Sequence, residues 1–230
     1  MGEHAAHGAL TASDASRGHT GGVTSTRLPA QFFTRDVLDV ARDLLGCRVT
    51  RAGVTVRLTE VEAYAGGADP GSHAFRGRSP RTEVMFGPAG RLYVYFTYGM
   101  HHCANIATGQ TGTASAVLMR AGEVVAGHDL AAERRPGVRE RDQARGPANL
   151  ATTLGLTRAH DGLSLVGARA GGRVESPEAP VDAATVRTGP RVGVSGVGGD
   201  GTLYPWRFWL DGEPTVSAYR VARTRNGTVG

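Results

Sequence analysis

Residues Gly90 to Asn105 read GRLYVYFTYGMHHCAN, and the fold is decided there. Tyr93, Val94, Tyr95 and Phe96 have strong strand preference, Ile106 shares it on the return, and Gly99 between them permits a tight turn. The segment therefore predicts a β-hairpin. Side chains alternate along a strand, so Tyr93 and Tyr95 share one face, and Cys103 and Asn105 share a face of the returning arm. In a suitable register two aromatic rings, a thiol and an amide line one pocket wall, with Tyr98 and Met100 near the tip. The same pattern also describes an amphipathic hairpin whose tyrosines pack in a core and whose tip is plain surface. Periodicity does not choose between them.

Upstream, Val54, Val56 and Leu58 alternate with Thr55, Arg57 and Thr59, the signature of a half-buried strand. Continued unbroken, the alternation carries Glu60, Glu62 and Tyr64 on the apolar face. An inward carboxylate is costly unless paired, hydrogen-bonded or catalytic. A bulge or strand end there would instead return both glutamates to water. Before this strand, Val37, Leu38, Ala41, Leu44 and Leu45 recur on one helical face, with Thr34 as the expected cap, Phe33 as a staple against Leu38, and Gly46 as terminator.

After it, residues 65–90 are rich in Gly, Pro, Ser and Arg and predict a long loop carrying His73, Arg76, Arg78 and Arg81. Ser115 to Arg120 reads as a strand, residues 123–134 as a helix, and Pro147 as the start of a short helix that bears Leu150 and Leu154 and ends at Gly155. Residues 171–188 lack periodicity and read as an irregular insertion. Residues 204–219 predict a hairpin turning at Asp211-Gly212.

A chain of 230 residues with 40% apolar content can bury a full core, which suits one domain over residues 27–223. Residues 1–26 offer little apolar surface to offset the entropy of ordering and are expected to be a disordered tail, with 224–230 a flexible terminus. All 26 basic residues are arginine; no lysine occurs. That excludes a lysine Schiff base and a P-loop lysine within this chain, while arginine still grips phosphates with paired hydrogen bonds. A formal charge of +5 and a pI near 9.8 suit a polyanionic partner. Cys47 and Cys103 form no CxxC pair, and His101-His102-Cys103 offers two same-face ligands without a third, so neither a disulfide scaffold nor a metal site is expected. No apolar run is long enough to span a membrane or serve as a secretory leader, and a cytoplasmic location follows as the expectation.

The segments ARDLLGCRV, TEVEAYAG, DPGSHAFRGRSPRTEVMFGPAG, LYVYFTYGMHHCANI, AVLMRAGE, ARGPANLATTLGL, GPRVGVS and WRFWL, in this order, resemble the alkyladenine (3-methyladenine, methylpurine) DNA glycosylase family over nearly all of the chain from Phe32 to Arg220. The resemblance implies a single α+β domain with a curved, mostly antiparallel sheet in an open barrel or roll, flanked by helices, and a hairpin that enters DNA. It implies Glu62 as general base, with Arg120 and the carbonyl near Val192 holding the catalytic water. By the same likeness Tyr64, His73 and Tyr95 sandwich a flipped base, Cys103 lines the pocket, and Asn105 crowds the exocyclic amino group of guanine. Tyr98 resembles the wedge that fills the vacated stack, Met100 and His101 accompany it in the minor groove, and Arg76, Arg78 and Arg81 are expected to contact phosphates. The partner so implied is double-stranded DNA with damaged purines, bound by a monomer without a cofactor.

Two departures touch affinity: His101 stands where the family often has an aromatic, and Asn149 where a basic side chain is frequent. Glu60 satisfies the strand-face argument as well as Glu62, so only the resemblance separates them. With no lysine to form an imine, and the N-terminal amine as its one substitute on a segment expected to be disordered, a glycosylase of this kind would use water and leave an abasic site. A catalytically silent binder of distorted nucleic acid and a hydrolase of free nucleosides stay open as other readings.

Overall fold

The structure, a computed structural model, describes Met1, residues 25–97 and residues 99–222. The expected tail and C-terminal segment lie almost wholly outside the described residues. Ser25 and Thr26, the last residues assigned to the tail, both hydrogen-bond Ser176.

Helices α1 (Ala30–Phe33) and α2 (Val37–Asp43) come first. The predicted helix is α2, but its cap is Asp36, which accepts the Leu38 N–H at 2.8 Å, while Thr34 closes α1. Strands β1 (Arg48–Arg51) and β2 (Val54–Tyr64) are joined by Ala52 and Gly53, both at positive φ, a turn whose twist matches that of the strands it connects. The hairpin of β3 (Leu92–Thr97) and β4 (His101–Ala107) sets Tyr93 opposite Asn105 and Tyr95 opposite Cys103. β5 (Ala116–Ala126), α3 (His128–Arg134), α4 (Pro147–Thr153), β6 (Arg173–Glu175), β7 (Val186–Gly189) and β8 (Arg207–Leu210) follow.

The strands form one open antiparallel sheet of eight strands, ordered β3-β4-β5-β2-β1-β6, with β8 beside β2 and β7 beyond it. β2 is the hub. One edge pairs with β5; the other pairs first with β1, through Val54 to Arg57, and then with β8, through Glu60 to Glu62.

Three expectations are corrected. Residues 123–126 continue β5, because Glu123 lies opposite Arg57 and bonds its guanidinium, and left-handed Gly127 ends the strand before α3. Residues 171–188 are not wholly irregular, since β6 and most of β7 lie there. Gly212 does turn the chain at positive φ, yet no hairpin forms, because β7 and β2 already occupy both edges of β8.

Alternation sorts the sheet into two faces. Val94, Ala104, Ile106, Val61, Ala63, Val117 and Met119 join the main core, where α2 and α4 pack. Their strand neighbours Tyr93, Tyr95, Cys103, Asn105, Glu62, Leu118 and Arg120 all line a cleft instead. On β2 the pattern breaks where the pairing with β5 shifts between Leu58 and Val61: Val54, Val56 and Leu58 are core, and so are Val61 and Ala63. The irregularity takes Glu60, Glu62 and Tyr64 off the apolar face but does not return the glutamates to water, for both are fully buried.

Candidate active site

The cleft measures about 390 Å³, within the range of small-molecule sites, and Glu62 stands in its wall. Its carboxylate is held at both oxygens. Oε1 accepts the Val192 N–H at 2.7 Å and lies 3.3 Å from an Arg120 guanidinium nitrogen; Oε2 accepts the Tyr64 hydroxyl at 2.7 Å. A carboxylate offers about four acceptor positions, so Glu62 keeps capacity toward the cleft. Burial, followed by the Glu62 charge, raises the Tyr64 phenol well above its usual pKa, which keeps that hydroxyl a donor.

Glu60 is differently placed. It accepts from Arg120 Nε at 2.8 Å, Arg207 Nε at 2.7 Å and the Ser217 hydroxyl at 3.0 Å on Oε1, and from the Ser217 N–H at 2.7 Å on Oε2, so both oxygens are tied to structural partners. Burial alone would raise its pKa, but Arg120, Arg207 and the Ser217 hydrogen bonds outweigh that and hold it below the usual range. It does not line the cleft. The choice between the two glutamates, which sequence left to a resemblance, thus has a geometric basis.

Arg120 bridges both carboxylates and is itself 6% exposed. Burial opposes its charge; Glu62 and Glu60 more than compensate and raise its pKa further. Val192 engages Glu62 through its backbone N–H.

The aromatic wall forms as the hairpin register requires. The Tyr95 ring lies 4.6 Å from that of His73 and 5.6 Å from that of Tyr93, and the Tyr93 hydroxyl is 3.0 Å from His73 Nδ1. Although His73 is at the rim, loss of hydration among these rings and then the nearby Arg81 charge push its pKa down to about 4, so the imidazole is neutral at physiological pH. Cys103 lies beside Tyr95, and burial raises its thiol pKa. Asn105 is 4% exposed and donates to the Tyr93 carbonyl at 3.0 Å, which fixes its amide at the cleft wall.

Other predicted residues are spread more widely. Arg81 turns inward to His73 and over the Tyr95 ring, Arg78 pairs with Glu83 and covers Phe86, and Arg76 is exposed. Met100 is 70% exposed at the hairpin tip beside exposed His101, with Phe96 also half-exposed on the hairpin. Tyr98 lies outside the described residues. Among those described, no cluster of three or more His, Cys, Asp or Glu is placed to hold a metal ion, and no helix is long and apolar enough to cross a membrane.

Sequence reasoning missed two features. A second cleft of about 400 Å³ shares Arg120 and Val192 with the first and is lined further by Asp142, Arg145, Asn149, Ser217, Ala218 and Arg220. A buried pair, Asp69 with Arg191, lies behind the Val192 loop, joining residues 122 positions apart that no local pattern connects.

Residues 31–214 match the family described as Methylpurine-DNA glycosylase. The chain is 53% identical over 205 residues to a protein of Streptomyces avermitilis, covering 87% of this chain and 95% of that protein. It is 51% identical to one of Frankia casuarinae (84% and 92% covered) and 44% identical to one of Mycobacterium bovis (83% and 93%). All three are described, provisionally, as 3-methyladenine DNA glycosylases.

Proposed function

The chain belongs to the methylpurine-DNA glycosylase family, and from that membership we propose that it excises alkylated or deaminated purines from duplex DNA by hydrolysis, as an enzyme of base-excision repair. The observation that carries the mechanism is the contrast between two buried glutamates: Glu60 is consumed by structure, whereas Glu62 opens on a cleft lined by aromatic rings. Cleaving an N-glycosidic bond builds positive charge on the deoxyribose. A fixed carboxylate stabilises that charge and takes the proton of an attacking water, assistance worth roughly 10² to 10⁴ in rate. With no lysine in the chain, water is the nucleophile and an abasic site the product.

The flipped base stacks among Tyr64, His73 and Tyr95. Extruding a base costs roughly a few kcal/mol, less at a damaged pair, and stacking returns about 1 to 3 kcal/mol per base. A methylated purine can carry positive charge, which the rings favour by about 0.5 to 2 kcal/mol and which a charged imidazole would repel. The depressed pKa of His73 keeps that imidazole uncharged. Asn105 bars guanine, Tyr98 fills the stack, and Met100 and His101 follow the minor groove. The arginine-lined second cleft receives the adjoining phosphodiester, since it meets the first at Arg120 and Val192, where the sugar would lie. Arg76 and Arg78 extend the phosphate contacts, and the enzyme acts as a monomer.

Incubating the protein with hypoxanthine- or methylpurine-containing duplex, followed by hot alkali, tests this against a free-nucleoside control. Duplex-dependent strand breaks are expected. Binding without breaks would mark a silent binder, and base release from the nucleoside alone a nucleoside hydrolase.

A further inference from the structure

Glu62 depends on two neutral donors, and both rest on one guanidinium. The Val192 N–H belongs to a loop without regular structure, and such a loop holds a donor in place only if something pins it. The preceding residue, Arg191, is 1% exposed. Its guanidinium donates to Asp69 at 2.6 and 2.7 Å, to the Ala63 carbonyl at 2.9 Å and to the Gly198 carbonyl at 2.6 Å. It thus ties the residue next to Glu62 on β2, the turn after β2, and the far side of its own loop. It also lies over the Tyr64 ring at 4.6 Å, with Trp206 at 5.3 Å and Tyr204 at 5.7 Å. Tyr64 is the other donor to Glu62.

Asp69 completes the clamp by accepting the Gly71 N–H at 2.8 Å and the Ala65 N–H at 3.2 Å. The fit is close. A Cβ at Gly71 would stand 2.4 Å from an Arg191 nitrogen, and one at Gly198 2.3 Å from the Gly71 nitrogen. Neither Asp69 nor Arg191 lines the cleft, so neither is placed to touch substrate.

We infer that Asp69 and Arg191 are positioning residues that act through Glu62, by aiming the Val192 N–H and the Tyr64 hydroxyl at its carboxylate. The inference rests on Glu62 being the base proposed above. Both donors hold the carboxylate in its working orientation, so loosening them slows excision. A role confined to fold stability would not slow it once only folded molecules are counted.

The test uses Asp69→Asn and Arg191→Lys in the full chain, each also on a Glu62→Gln background. Single-turnover excision is measured from pH 5 to 9, normalised to active sites titrated with lesion duplex. Asp69→Asn is expected to lower the rate by at least about tenfold, with Arg191→Lys moving it in the same direction. On the Glu62→Gln background the added loss should shrink below about twofold, the signature of action through one group. An unchanged rate in either folded variant, or losses that simply multiply with that of Glu62→Gln, would overturn the inference. Normal excision by Glu62→Gln alone would instead sink the proposed base.

Discussion

Replacing Glu62 by glutamine removes a charge and a proton acceptor while nearly preserving shape. The amide oxygen can keep the Val192 N–H, and the amide nitrogen can donate to the Tyr64 oxygen, since a phenol both donates and accepts. Arg120 loses its 3.3 Å partner but keeps Glu60 at 2.8 Å, so fold and lesion binding should survive, with a melting temperature that falls less than in Glu60→Gln. The rate should not. Loss of a positioned base costs about 10² to 10⁴, or about 2.7 to 5.5 kcal/mol of activation free energy. Glu60→Gln makes the informative partner. It strips charge from a carboxylate that satisfies Arg120, Arg207 and Ser217 away from the cleft, and breaking a buried pair costs about 3 kcal/mol. In a protein of this size that lowers the melting temperature by about 6 to 12 °C, while the rate per folded molecule falls less than about tenfold. Single-turnover excision and thermal melts on both variants decide the matter. A Glu62→Gln rate within about fivefold of the parent, or a Glu60→Gln rate equally crippled without loss of stability, would refute the division of labour between the two carboxylates.

Three further outcomes are expected. Asn105→Ser removes the amide fixed on the Tyr93 carbonyl, so release of mispaired guanine should rise by about tenfold or more while hypoxanthine release changes less; guanine release at background with collapsed lesion release would make Asn105 a structural support only. His73 should remain neutral by nitrogen-detected NMR down to about pH 5; because its folded pKa of about 4 lies below its unfolded value, the unfolded chain binds more protons in the window between them, and this residue's share of stability is lost as pH falls through it. An ordinary titration near 6.5 would contradict the neutral imidazole. Arg220→Ala should lower the slope of log affinity against log salt by about 0.9, the loss of one phosphate contact, and an unchanged slope would empty the second cleft of its assigned role.

Much of the architecture was legible in the sequence. The hairpin followed from consecutive β-formers on either side of a glycine, and its alternation correctly grouped Tyr93, Tyr95, Cys103 and Asn105. What local pattern did not supply was the identity of neighbours. Asp211-Gly212 announces a turn but not that β8 has both edges taken, and Glu123 looks helical until Arg57 is seen opposite it. The assignment of Glu60 and Glu62 failed to resolve for the same reason. Their partners, Arg120, Val192, Arg207 and Ser217, come from distant segments, and the irregular pairing beyond Leu58 changes which face the glutamates occupy. Asp69 and Arg191 carry no periodic signal at all, being fixed by tertiary contact alone.

The assignment of core and cleft to opposite faces of one sheet bears on how this protein can change. A substitution at Cys103, Asn105 or Leu118 alters what the cleft admits without touching the helices packed behind Ala104, Ile106 and Val117. Base preference can then drift, or be redirected in a laboratory library, through single steps that leave thermal tolerance nearly intact. The exceptions are the arginines that join carboxylates from separate segments, Arg120, Arg191 and Arg207, where selectivity and folding share the same atoms. Variation should be tolerated at cleft positions such as Cys103 and Leu118 and stall at those three guanidinium groups.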